Sequence, residues 1–204
     1  KSFAMKQLLA VWFFLPLAFF STQVLSQNAT DQSVTSVLWM QKSAEYRALC
    51  YQAYNLAEWR VKEYLSQKDT TGKPAAVIFD LDETLLDNSP SEALNIMEGK
   101  GYTDERWKAW TDQASAAPIP GGVEFCHFLA RNGIQPFYVT NRTSAESTAT
   151  LLNMQKWNFP YANRNHLYFK SQTSSKEARR NNIGNQYHII LLVGDNLADF
   201  DQVF

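Results

Sequence analysis

Apolar positions change their period several times along this chain. Val34, Val37, Leu38, Tyr46, Leu49, Ala53, Leu56, Ala57, Val61 and Tyr64 recur mostly at helical spacing. That spacing predicts one long helix or two stacked ones over 31–67. Trp39, Tyr51, Tyr54 and Trp59 fall in the same stretch and are expected to pack a helical subdomain. A polar, turn-rich run over 66–74 then leads into Ala75, Ala76, Val77, Ile78 and Phe79, an unbroken apolar run. Such a run reads as a strand buried on both faces. Residues 87–120 contain no clean strand, but "TDERWKAW" predicts a short helix. Thr103 is its N-cap, and Asp104 and Glu105 place negative charge where the helix dipole favours it. Trp107 and Trp110, three apart, share a face of it. Further on, 123–131 reads as a helix stopped by Gly133, "QPFYVT" as a strand, and 144–157 as a helix. "HLYF" reads as a short strand, 175–182 as a helix, and "YHIILLVGD" as a long strand. The apolar run 189–193 is what a central strand requires.

Strands that alternate with helices build βαβ units and a mostly parallel sheet. The expected fold is α/β: a three-layer Rossmann-like parallel sheet with helices on both faces, plus a small helical subdomain. The domain plan is a leader over 1–26, a helical segment of the small subdomain over 27–73, and a core over 74–204 with a helical insertion at 87–120. The leader rests on Lys6, a thirteen-residue apolar run from Leu8 to Phe20, and a short polar stretch. That is the shape of a secretory signal, with Ser26 as the expected cut. The run is too short to span a bilayer comfortably, so no membrane span is expected after cleavage. Export follows as the expectation, to a periplasm or the medium. The whole chain has 204 residues and a net charge of −1. No basic stripe marks it for a nucleic-acid polymer. Cys50 and Cys126 are the only cysteines, and both sit in apolar helical patterns. They are read first as buried small hydrophobes, with a disulfide left open by the oxidising compartment that export implies.

Candidate chemistry collects where the strands end. In open α/β sheets ligands bind beyond the carboxyl ends of the strands. The first strand runs into Asp80-Leu81-Asp82, the second into Thr140-Asn141-Arg142, and the last into Gly194-Asp195-Asn196. Residues two apart at a strand end point the same way, so Asp80 and Asp82 share a pocket while Leu81 turns back to the core. Carboxylates this close repel. A hard cation relieves that repulsion, and an all-oxygen set of Asp80, Asp82 and Asp195 suits Mg²⁺. His127, His166 and His188 show no zinc-ligand spacing. "TSAE" and "SSKE" both read as capping boxes, the second carrying Lys176 in its first turn. Two helix starts with free N–H groups, Thr140 and Lys176 could together hold a phosphoryl group. Asp80, first after the strand, is then the candidate nucleophile, and Asp82 the candidate acid and base. A lone D-x-D is common in surface turns. The weight lies on the ordered set of D-x-D-x-T, strand-ending Thr, helix-start Lys and G-D-N.

These residues resemble the haloacid dehalogenase superfamily, and within it the bacterial class C nonspecific acid phosphatases. "VIFDLDETLLDN" resembles the first signature and "VGDNLADF" the last, while "SAEYRALCYQAYN", "PGGVEF" and "FYVTNR" are also similar. The resemblance implies that Asp80 is the nucleophile and an Mg²⁺ ligand. It implies that Asp82 is the acid/base and lends its backbone carbonyl to the metal. It assigns Thr140 and Lys176 to the phosphoryl group, Asn141 beside them, Asp195 to the metal, and Asp199 to a supporting place nearby. It further implies a secreted or surface enzyme that cleaves phosphate monoesters, among them nucleoside monophosphates and aryl phosphates. A homodimer is one permitted assembly. Ser91 stands where the first signature usually ends in tyrosine, and no lipid-anchoring cysteine is present. The chain ends nine residues after Asp195, so the C-terminal part of the core is expected to be missing. Two other readings stay open: phosphotransfer to an acceptor hydroxyl through the same intermediate, and a non-catalytic phosphate-binding surface protein.

Overall fold

The structure, a computed structural model, describes residues 29–67 and 71–200. The leader expected over 1–26 lies outside the described residues, as do 68–70 of the linker. Two helices open the described chain, α1 (Ala29–Lys42) and α2 (Ala44–Leu65), with Ser43 capping the second. Strand β1 (Ala75–Phe79) follows, then β2 (Leu86–Asp87), α3 (Ser89–Met97), α4 (Asp104–Thr111) and β3 (Ala117–Pro118). The rest alternates: α5 (Gly122–Arg131), β4 (Gln135–Thr143), α6 (Ser147–Lys156), β5 (Leu167–Lys170), α7 (Glu177–Gln186) and β6 (His188–Val193).

The main sheet has the order β5-β4-β1-β6, and every pairing in it is parallel. β2 and β3 form a separate antiparallel pair that closes the insertion. Side-chain alternation divides the core between the two faces of the sheet. Val77, Phe79 and Tyr138 pack against α2, α5 and the region of Met154 in α6. Ala76, Ile78, Phe137 and Val139 face the other way, onto Ile183 of α7. Burying a side chain such as Phe79 or Leu129 contributes about 2–3 kcal/mol. The fold is therefore a mixed α/β layering with helices on both sides of a parallel sheet.

Three expectations change. β6 is not central: among the described residues it forms the edge of the sheet, and all six of its residues are half-buried. β1 and β4 are the inner strands, because each is paired on both sides. Of the four aromatics expected to pack the subdomain, Tyr54 is buried in the core, whereas Trp39, Tyr51 and Trp59 remain exposed. Residues 144–157 open on a short 3-10 turn before α6 begins. Cys50 and Cys126 are free thiols, the second fully buried. No described helix is long and apolar enough to cross a membrane.

Candidate active site

β1 delivers Asp80 to the rim of the sheet. The Asp80 N–H donates to the Val193 carbonyl at the end of β6, 2.9 Å away. Two strand ends are thereby tied where the acids emerge. Leu81 turns into the core and is fully buried. Its carbonyl accepts from the Leu85 and Leu86 amides at 2.8 Å, closing one tight turn. Glu83 in that turn has φ of 61°. For a non-glycine residue this left-handed conformation costs about 1–3 kcal/mol. The Asn88 N–H donating to Glu83 Oε1 at 3.1 Å helps to hold it. From behind, the Tyr54 hydroxyl donates to the Thr84 carbonyl at 2.5 Å. Gly121 allows that approach: its φ is 89°, and a Cβ there would lie 3.1 Å from the Tyr54 ring.

β6 delivers Asp195, and the short turn after it carries Asp199. The Asn196 N–H donates to Asp199 Oδ2 at 3.1 Å, which locks that turn. Carboxylate oxygens of Asp80, Asp195 and Asp199 all lie within 4.8 Å of one another. Lys176 sits at the N-cap of α7 and is only 5% exposed. Its ammonium donates to Asp80 Oδ1 and pairs with Asp199 Oδ1 at 2.5 Å. "SSKE" forms no capping box, because α7 starts only at Glu177 and Lys176 caps it without a side-chain bond. The lysine is drawn to the acids instead. "TSAE" does form its box, with Glu146 accepting from the Thr143 N–H at 2.7 Å.

Burial raises the Asp80 carboxyl to about 7, against the opposing pull of Lys176 and with help from Asp199 and Asp82. Burial and Asp199 also push Asp195 upward. Burial and Asp82 bring Glu83 to about 7. An added cation would reverse these shifts, since opposite charge favours the carboxylate. Three clustered carboxylates fit a hard divalent cation better than a thiolate- or imidazole-seeking metal.

Asp82 has different company. Its carboxylate is ion-paired with Arg142 at 2.7 Å and accepts from the Asn88 side-chain amide at 2.9 Å. The fully buried Thr140 hydroxyl lies 3.4 Å from Asp82 Oδ2 and accepts from the Arg142 N–H at 3.0 Å. A cavity of about 510 Å³ opens above these groups, lined by Asp80, Asp82, Glu83, Asn141, Lys176, Asp195, Asp199 and the 173–175 loop. Thr140 is fully buried and does not line that cavity. Arg179 ties Asn141 to the loop: it donates to Asn141 Oδ1 at 2.8 Å and to the Ser175 carbonyl at 3.0 Å. The structure thus gathers Asp80, Lys176 and Asp195 with Asp199, and sets Asp82 and Thr140 beside them around Arg142. Sequence reasoning gave Arg142 and Arg179 no role. Arg142 could have been found, because it stands two residues past Thr140 on one strand and so faces the same side.

Gly194 is fixed by Asp199. A Cβ at this position would fall within 3.0 Å of the Asp199 side chain. Gly194→Ala is expected to displace Asp199 and lower stability by about 1–3 kcal/mol. A thermal melt checks this; an unchanged melting temperature would mean that the turn yields without cost.

Residues 18–203 match the HAD superfamily, subfamily IIIB (acid phosphatase). The chain belongs to this acid phosphatase family. Two solved structures agree with the assignment. The class C acid phosphatase from Bacillus anthracis with tungstate bound is 35% identical, with a TM-score of 0.81. The match covers 85% of this chain and 72% of that one. A second structure of the class C acid phosphatase from Bacillus anthracis is 36% identical over 84% of this chain and 71% of that one, with a TM-score of 0.80.

Proposed function

We propose that the chain is an Mg²⁺-dependent phosphomonoesterase that works through an aspartyl-phosphate at Asp80. The observation that carries this reading is Asp80 on the wall of an acidic cavity, paired with a buried lysine and within 4.8 Å of Asp195 and Asp199. In the first step Asp80 attacks phosphorus, the ester P–O bond breaks, and Asp82 gives a proton to the departing oxygen. In the second, water attacks the phosphoryl group, Asp82 takes its proton, and the Asp80–phosphorus bond breaks. Lys176 and Asn141 hold phosphoryl oxygens, and Thr140 acts one layer down beside Asp82. Asp80 and Asp195 would hold the cation, with Asp199 alongside. The resemblance assigns the Asp82 backbone carbonyl to the cation as well, which leaves its Arg142-paired side chain for proton transfer. When bound, Mg²⁺ offsets the negative charge that gathers at the phosphoryl oxygens.

A second cavity of about 210 Å³ shares Asn141 and is lined in part by Tyr102 and Trp107. Two aromatic rings next to the phosphate site support flat leaving groups, as in aryl phosphates and nucleoside monophosphates. Tungstate bound to the Bacillus anthracis enzyme supports a tetrahedral oxyanion as the ligand here. The basic and then apolar opening of the sequence supports export to a periplasm or the medium.

Inorganic phosphate released from an aryl phosphate and from a nucleoside monophosphate, with Mg²⁺ or with EDTA, tests the proposal. Release is expected with Mg²⁺ and should fall about 100-fold in EDTA. Undiminished turnover after complete metal removal would refute the metal requirement. Added alcohols that divert product into new esters would favour the phosphotransferase reading. Retention of phosphate without any alcohol released would favour a binding protein.

A further inference from the structure

We propose that Arg142 is the positioning residue for Asp82 and fixes which carboxylate oxygen exchanges the proton. This rests on the phosphatase reading above. The two oxygens of Asp82 are held unequally. Oδ1 accepts from Arg142 Nη2 at 2.7 Å, Arg142 Nε at 3.0 Å and Asn88 Nδ2 at 2.9 Å. Oδ2 has only two longer partners, Arg142 Nε at 3.2 Å and Thr140 Oγ1 at 3.4 Å. A carboxylate offers about two lone-pair sites on each oxygen, so three short contacts saturate Oδ1, while Oδ2 is held only by two long, weak ones that a substrate oxygen can displace.

The guanidinium is itself fixed. Its side chain is 1% exposed, and Nη1 donates to Thr150 Oγ1 at 3.2 Å. The Trp107 ring lies 5.6 Å from its central carbon. Asn88 is held from α4 by the Trp110 indole N–H at 2.8 Å. Rotating Asp82 would break three bonds to Oδ1 and strand a buried cation, which is costly. Oδ2 therefore carries the proton. In the first step the Oδ2–H bond breaks as the proton passes to the leaving oxygen, and the new carboxylate stays paired with Arg142. In the second step Oδ2 takes the proton back from the attacking water.

The test is the dependence of kcat/KM on the leaving group, because kcat/KM reports phosphoryl transfer to Asp80 and not the later hydrolysis. A nitrophenolate departs without a proton, whereas an alkoxide needs one. Arg142→Gln is expected to lower kcat/KM for an alkyl phosphate about 10–100-fold more than for a nitrophenyl phosphate. Arg142→Lys keeps the charge but not the fork, so it should recover only part of that difference. Equal losses for both substrates, no loss, or a gain for the alkyl ester would overturn the proposal. Should Arg142→Gln fail to fold, Asn88→Ala removes one donor to Oδ1 and the acceptor of the Trp110 indole N–H, but no side-chain bond capping α3. It must shift the ratio in the same direction by less, and an unchanged ratio overturns the proposal equally. A wild-type chain that hydrolyses neither ester defeats the phosphatase reading, and this inference with it. An active wild type with unselective variants defeats this inference alone.

Discussion

Asp80→Asn abolishes phosphate release and leaves the fold in place. The amide has the size and shape of the carboxylate, so the packing around β1 is undisturbed. It cannot serve as the anionic nucleophile, so no aspartyl-phosphate forms. The expected fall in kcat is about 10⁵-fold, typical of deleting a covalent nucleophile. Stability moves little or upward, because the substitution removes one of three mutually repelling carboxyls within 4.8 Å. Lys176 keeps its pairing with Asp199 at 2.5 Å. Phosphate release gives the first readout. Intact mass after brief exposure to substrate gives the second: the wild type should gain a phosphoryl group transiently and Asp80→Asn none. Full hydrolysis by the variant would remove Asp80 from the nucleophile's role.

Much of this centre could be read from residue order, because strand ends impose their own geometry. An unbroken apolar run meeting D-x-D places two acids on one rim whatever else the chain does. The Thr143 and Glu146 box was legible because both of its partners are local. "SSKE" has the same S/T-x-x-E pattern, and forms no box because of a contact across 96 residues, Lys176 to Asp80. Nothing local signals that pull. The edge position of β6 also lay beyond reading, since apolarity reports burial and not which neighbours a strand pairs with. Asp199 was seen only as a support. Its pairing with Lys176 depends on Gly194 lacking a Cβ and on Arg180 donating to the Asp199 carbonyl at 3.1 Å. The Arg142 guanidinium escaped notice because a strand-ending arginine reads equally well as solvated; its burial is set by α4 and α6, through Trp107 and Thr150.

Lys176→Met should be the second most damaging change, through electrostatics rather than lost chemistry. The ammonium lies between Asp80 and Asp199, and all three groups are under 10% exposed. Methionine fills a similar volume but leaves two buried carboxylates uncompensated. Breaking a buried pair in this way costs about 3 kcal/mol. For a chain of this size that is about 6–12 °C in melting temperature. The cost depends on pH with a definite sign. Asp80 is held near 7 in the fold against an ordinary 3.8, so the folded state grips its proton more tightly than the unfolded chain does. Stability from that grip is present below about 3.8 and is lost as pH rises through about 7. Without the countering lysine the loss steepens, so the variant and the wild type should differ more at pH 7.5 than at pH 4.5. Mg²⁺ binds the folded state and should restore part of the stability. Activity should stay down by about 10³-fold even so, because the cation at the transition state is gone. Melts across pH with and without Mg²⁺, paired with rates, separate the two effects. A Lys176→Met enzyme of normal rate and lowered stability would confine the lysine to an ion pair that only holds the site together.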